Sequence, residues 1–215
     1  KYAPSFIECR TSLLPTPQAF TMIGLDYNKV CQDLGLICKY DYNAKITAEI
    51  VNLDDLTILI DSREQLPLEF TVKTVKTALD FGDLTITSDR LEFKRLFVER
   101  KSLTDLISTL SQGYERFQNE LKRAADFGAY IIVMVEKDLQ TALNFDKSDW
   151  YGKFTKCSSE FIFSRIRETC QNRENVQWLF CKNREHMKEL ILKIFGMKIN
   201  PRILDLQYLL MENLL

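Results

Sequence analysis

Histidine is almost absent: His186 is the one imidazole in 215 residues. It sits in the charged stretch Arg184-Glu185-His186-Met187-Lys188, which reads as a helix surface, so an incidental or structural role is expected for it. Nucleases built on a catalytic histidine, and any Ser-His-Asp arrangement, are thereby excluded. The six cysteines, at 9, 31, 38, 157, 170 and 181, form no C-x-x-C pair. They read as reduced, mostly buried thiols of an intracellular protein, neither a zinc site nor a disulfide framework. Long apolar runs are missing too. The longest, Ala129 to Val135, is far too short to cross a bilayer, and no signal-peptide pattern precedes it. Neither a membrane nor a small-molecule cofactor is expected as a partner.

What is present is an ordinary globular composition, 46% apolar and 27% charged, in a chain long enough for one domain, or one with an appendage, and a sizeable core. The net charge of -1 argues neither for nor against a polyanionic partner. Its distribution says more. Arg90, Lys94, Arg95, Arg100 and Lys101 face only Glu92 and Glu99, a local basic patch suited to phosphate contacts or, equally, a set of solvated strand and turn charges.

Residues 1–55 are weakly patterned and read as an N-terminal extension, with a short helix around Val30, Leu34 and Ile37 and a strand over Lys45 to Val51. From Leu56 the pattern sharpens. Leu56 to Ile60 reads as a buried strand ending at Asp61, Leu79 to Thr87 as a second, Ser88-Asp89-Arg90 as a turn, and Leu91 to Glu99 as a third. Leu103, Leu106, Ile107, Leu110, Tyr114, Phe117, Leu121 and Ala124 then form one helical stripe, with Gly113 predicting a kink or two abutting helices. A buried strand over 129–135, a helix over 158–170, a strand over 176–181 and a helix over 184–195 follow. Residues 200–215 form an apolar helical tail over the core or against a dimer partner. The alternation predicts an α/β layer architecture over 56–199.

Chemistry concentrates at the strand ends. In an extended strand Glu99 and Lys101 share one face and Arg100 takes the other. Asp83 lies on the preceding strand and Asp61 ends the one before. If the three strands are neighbours, Asp61, Asp83 and Glu99 converge with the Lys101 ammonium beside them. Hard carboxylate oxygens of this kind suit Mg²⁺ or Mn²⁺, which polarise a phosphoryl oxygen and activate water. Lys101 then holds the attacking water or neutralises charge on the phosphorus oxygens. The bland alternative is a set of solvated strand ends. Ser102-Leu103-Thr104-Asp105 matches a capping box, so Asp105 is expected to cap the following helix in preference to binding metal. Arg116 and Arg123 lie on the polar face of that helix, as phosphate contacts or as ordinary solvated charge.

Gly82-Asp83, fifteen residues, Glu99-Arg100-Lys101, three residues and Asp105 together resemble the GD…ERKxxxD signature of the XPF-type structure-specific endonucleases. Asp61-Ser62-Arg63-Glu64 is similar to that family's upstream D-x-R-E element. The resemblance covers roughly residues 56 to 196. It implies a restriction-endonuclease-like fold, a central mixed sheet flanked by helices, and Mg²⁺- or Mn²⁺-dependent cleavage of DNA. By position it makes Asp61, Asp83 and Glu99 metal-site carboxylates, Lys101 the catalytic lysine, and Arg63, Glu64 and Arg100 supporting residues. Arg116 with Glu120 is similar to a later element, usually Arg with Gln four residues on. The family's tandem helix-hairpin-helix module, which grips duplex DNA and helps form the dimer, has no counterpart after Phe195. Flap or fork preference and the mode of dimerisation are thus not carried over. A non-catalytic DNA-binding or scaffolding subunit, and a general PD-(D/E)xK restriction-like nuclease, are the alternatives.

Overall fold

A computed structural model describes residues 1–44, 52, 55–87, 95–148 and 156–215. The strand expected over 45–51 and the turn at 88–90 lie outside them. Six strands form one mixed sheet: β1 (Thr57–Asp61), β2 (Lys73–Thr77), β3 (Leu84–Thr87), β4 (Leu96–Lys101), β5 (Tyr130–Val135) and β6 (Val176–Phe180), in spatial order β2-β1-β3-β4-β5-β6. β3 runs antiparallel to both β1 and β4, whereas β2 is parallel to β1, and β4, β5 and β6 are mutually parallel. The expected α/β architecture, a central mixed sheet flanked by helices, is what the chain forms.

Strand alternation divides the core in two. Phe97, Ile131, Val133 and Trp178 face one side, where α4 (Leu103–Leu110), α5 (Tyr114–Asp126), the short α6 (Leu139–Ala142) and α7 (Ser159–Asn172) pack. Val98, Ile132, Met134 and Leu179 face the other, against α8 (Arg184–Gly196) and α9 (Leu206–Met211). β5 is buried at every residue, as a strand covered by helices on both faces requires. Gly113 does divide the long amphipathic segment: it is the N-cap of α5 after α4 has ended.

Several sequence readings are corrected. The second strand begins at Leu84, not Leu79, because the chain turns through Asp80-Phe81-Gly82 with Gly82 at φ +61°. The third is described from Leu96 and continues through Glu99 to Lys101. The tail is a 3₁₀ turn, Pro201–Ile203, and a separate α9, since Leu204 is extended and the Asp205 side chain caps the new helix. β2 carries an exposed K-T-V-K-T pattern that gave no apolar signal.

Residues 1–44 fold back on the sheet layers through α1 (Phe6–Thr11), α2 (Pro17–Met22) and α3 (Tyr27–Asp33). α1 contacts both α7 and α9. Buried Asp205 joins the two ends of the chain: one carboxylate oxygen accepts from the Phe6 amide and the Tyr42 hydroxyl, each at 2.7 Å, and the other from the Tyr208 amide at 3.1 Å. Burial still pushes this carboxyl above the usual range. Among the described residues no helix is long and apolar enough to cross a membrane.

Candidate active site

The sheet order makes β1, β3 and β4 neighbours, and their alternating directions bring the end of β1, the start of β3 and the end of β4 to one edge. Backbone bonds tie the corner: the Asp61 amide donates to the Asp83 carbonyl and the Asp83 amide to the Val98 carbonyl, both at 2.8 Å. Gly82 is required here because a Cβ would stand 2.8 Å from the Val98 carbonyl oxygen. The result is an open cleft of about 690 Å³ lined by Asp61, Arg63, Glu64, Asp83, Glu99, Arg116, Glu120 and Arg123, among others.

The three acids differ in state. The Asp83 Oδ2 accepts the Arg100 amide, at 2.7 Å. Burial first, and then the charge of Glu99, push its carboxyl up to about 7. Glu99 accepts the Lys101 ammonium at 2.7 Å, and Lys101 lies 5.9 Å from the Phe117 ring centroid. Asp61 is brought to the same corner, yet its carboxylate is already engaged. Arg63 donates to it through its amide and twice through its guanidinium, and the Leu79 amide adds a bond at 3.0 Å. The Arg63 guanidinium holds Asp61 well below the usual carboxylate range. That geometry fastens the turn after β1 to the Asp61 carboxylate. Among the described residues no three acidic, histidine or cysteine side chains gather as a ready-made metal cage.

Arg100 takes the opposite face of β4. Its side chain, 7% exposed, meets Glu64 at 3.2 Å, Glu136 at 2.8 Å and the Leu66 carbonyl at 3.0 Å. Arg184, at the start of α8, reaches the same Glu136 oxygen at 3.3 Å and donates to the Leu66 and Pro67 carbonyls. Two arginines sharing one carboxylate thus clamp the loop that forms a wall of the cleft. Glu136 escaped the sequence reading, although it follows an apolar strand just as Asp61 does. Glu136→Gln is expected to lower stability by about 1–2 kcal/mol, since the buried Arg100 guanidinium loses one of its two carboxylate partners and the more exposed Arg184 loses the same counter-charge. Urea unfolding measures this, and an unchanged midpoint would remove the clamp's structural role.

Asp105 stays exposed and does not line the cleft. Its amide donates to Ser102 Oγ at 3.1 Å, and its carboxylate accepts from the same hydroxyl at 2.6 Å. The return bond therefore goes to the Ser102 hydroxyl and not to its amide. Arg116 and Arg123 both line the cleft, as does Glu120, whose carboxyl is raised by burial and by Glu99. Asp80 lines it as well and was not foreseen. His186 accepts the Lys182 amide at 3.2 Å within its own turn, far in function from these groups.

A mixed sheet of this order, with acids at the ends of adjacent strands and a cleft walled partly by arginine, defines an α/β domain whose charged groups gather at one sheet edge. Residues 60–194, well over half of the chain, match the ERCC4 domain, and the chain belongs to the ERCC4 domain family. Among solved structures it is similar to XPF from Aeropyrum pernix in complex with DNA (16% identity, TM-score 0.45, 65% of this chain and 62% of that one). It is also similar to XPF from Aeropyrum pernix alone (16% identity, TM-score 0.46, 65% and 59%). The chain spans about three fifths of either. No curated protein matches it.

Proposed function

We propose that the chain is a divalent-metal-dependent DNA endonuclease whose working groups are Asp83, Glu99 and Lys101. The observation that carries this is the placing of Asp83 beside Glu99 in the cleft, a half-buried carboxylate raised to about 7 by desolvation and by that neighbouring charge. Two hard carboxylates with unmet mutual repulsion fit Mg²⁺ or Mn²⁺, which need few protein ligands and keep several waters. Asp83 and Glu99 would hold the ion. It would supply Lewis-acid polarisation of the phosphoryl oxygen and a more acidic water. Lys101 neutralises charge that builds on the phosphoryl oxygens. Arg116 and Arg123 take the flanking phosphates, while Asp61, Arg63, Glu64 and Arg100 keep the cleft wall in position.

The test is incubation with labelled single-stranded, duplex, flap and fork DNA in Mg²⁺, Mn²⁺ or EDTA. Cleavage in either metal and none in EDTA is expected. Binding without cleavage on every substrate would favour a non-catalytic subunit instead. Homodimerisation and partner binding belong to the same proposal, and light scattering during the assay reads them.

Asp83 also predicts a pH dependence. Its folded value of about 7 lies above the usual 3.8, so the stability gained from holding its proton is complete in acid and lost as pH rises through about 7. In EDTA the melting temperature of the wild type, relative to Asp83→Asn, is expected to fall between roughly pH 4 and pH 7. Parallel profiles would show that Asp83 titrates normally.

A further inference from the structure

Beside the candidate active site the surface continues into a second hollow of about 500 Å³, sharing Asp80, Phe81 and Arg123 with it and ending on Asp126 and Phe127. Phe127 follows the last turn of α5 and is 44% exposed. It is a supported platform. Phe81 packs against it with ring centroids 5.6 Å apart, and Phe97 backs Phe81 at 5.8 Å. The Arg95 guanidinium lies 4.5 Å from the Phe127 centroid and donates to the Phe127 carbonyl. Ring, flat cation and adjoining cleft are thus held in one rigid corner.

We infer that this hollow is a subsite for an unpaired nucleobase next to the scissile phosphate. The inference rests on the nucleic-acid reading above and adds to it the side chains that would hold a nucleotide beside the cut. A base offers a π face and exocyclic N–H donors. Phe127 and Arg95 offer the stacking surface, and Asp80 and Asp126 offer acceptors for those donors. The same two carboxylates repel a phosphate, so the hollow selects base over backbone. Arg123, shared by both hollows, stands where the connecting phosphate must pass. Stacking is available to every base, so the subsite recognises unpairedness and not sequence.

The experiment reads binding in EDTA, independent of cleavage. Duplexes with a single-stranded overhang carry 2-aminopurine at successive positions, and a blunt duplex serves as reference. Wild-type protein is expected to quench the fluorescence at one or two adjacent positions. Phe127→Ala should abolish that quenching and weaken overhang binding about tenfold, with blunt-duplex affinity unchanged. Phe127→Trp should retain both, which separates loss of stacking from loss of fold. No quenching by wild type, an overhang affinity that survives Phe127→Ala, or equal loss on overhang and blunt duplex would each overturn the subsite. Repeating the titration on Asp83→Asn keeps the two readings apart: quenching without wild-type cleavage sinks the endonuclease and leaves the base subsite standing.

Discussion

Asp83→Asn is expected to lower the cleavage rate by about three orders of magnitude in saturating Mg²⁺, with the fold intact. The substitution preserves shape and removes the charge that, with Glu99, would attract the ion. Because Asp83 sits above its ordinary value, ionising it costs stability, so the amide is also expected to melt higher than wild type near pH 8. Loss of activity together with gain of stability is the mark of a group held in an unfavourable state for chemistry, and misfolding cannot produce it. Lys101→Ala should cost a similar factor, and the double variant little more than either, since groups acting on one transition state are not additive. Single-turnover kinetics measure all three. Cleavage by Asp83→Asn within a few-fold of wild type would sink the site assignment.

Gly82→Ala is expected to destabilise the protein by about 2–4 kcal/mol, a drop in melting temperature of about 6–12 °C for a chain of this size. Two costs combine. An L-residue at φ +61° is strained, and the new methyl would press on the Val98 carbonyl at 2.8 Å, an atom of the backbone that no rotamer change can move. That carbonyl already accepts the Asp83 amide, so relief requires opening the joint between β3 and β4. Residual activity should fall with it, because Asp83 and Glu99 flank this joint. Calorimetry decides the matter: a shift under about 2 °C would mean that the corner relaxes freely.

The parts legible in the sequence share one property: their signal is local. Glu99, Arg100 and Lys101 separate correctly because a strand's alternation is fixed over three residues, and the structure sends Lys101 toward Phe117 and Arg100 toward Arg184. Gly113 declared the break between α4 and α5 through its low helical propensity. β5 declared itself by unbroken apolarity. The illegible parts depend on distant partners. β2 is an edge strand with nearly every side chain in water, so no pattern marks it. Ser5 and Glu8 did form a capping box for α1, a local signal present in the sequence that the weak apolar periodicity around it obscured. At the site, the competition for Asp61 by Arg63 and Leu79 depends on a turn eighteen residues away. The shared use of Glu136 by Arg100 and Arg184 spans still longer separations.

Asp205 sets the order in which the molecule can mature on the ribosome. Its carboxylate holds the first amide of α1 and the Tyr42 hydroxyl, groups translated long before it. Until residue 205 emerges, the opening segment can reach α7 but lacks the carboxylate that ties the start of α1 and Tyr42 to α9. The sheet itself needs β6, which is complete by Phe180. Synthesis therefore yields a sheet with its carboxylate-bearing edge assembled first and its amino-terminal wrap latched last, so a nascent chain stalled between these points leaves the latch to α1 open while the cleft is already built.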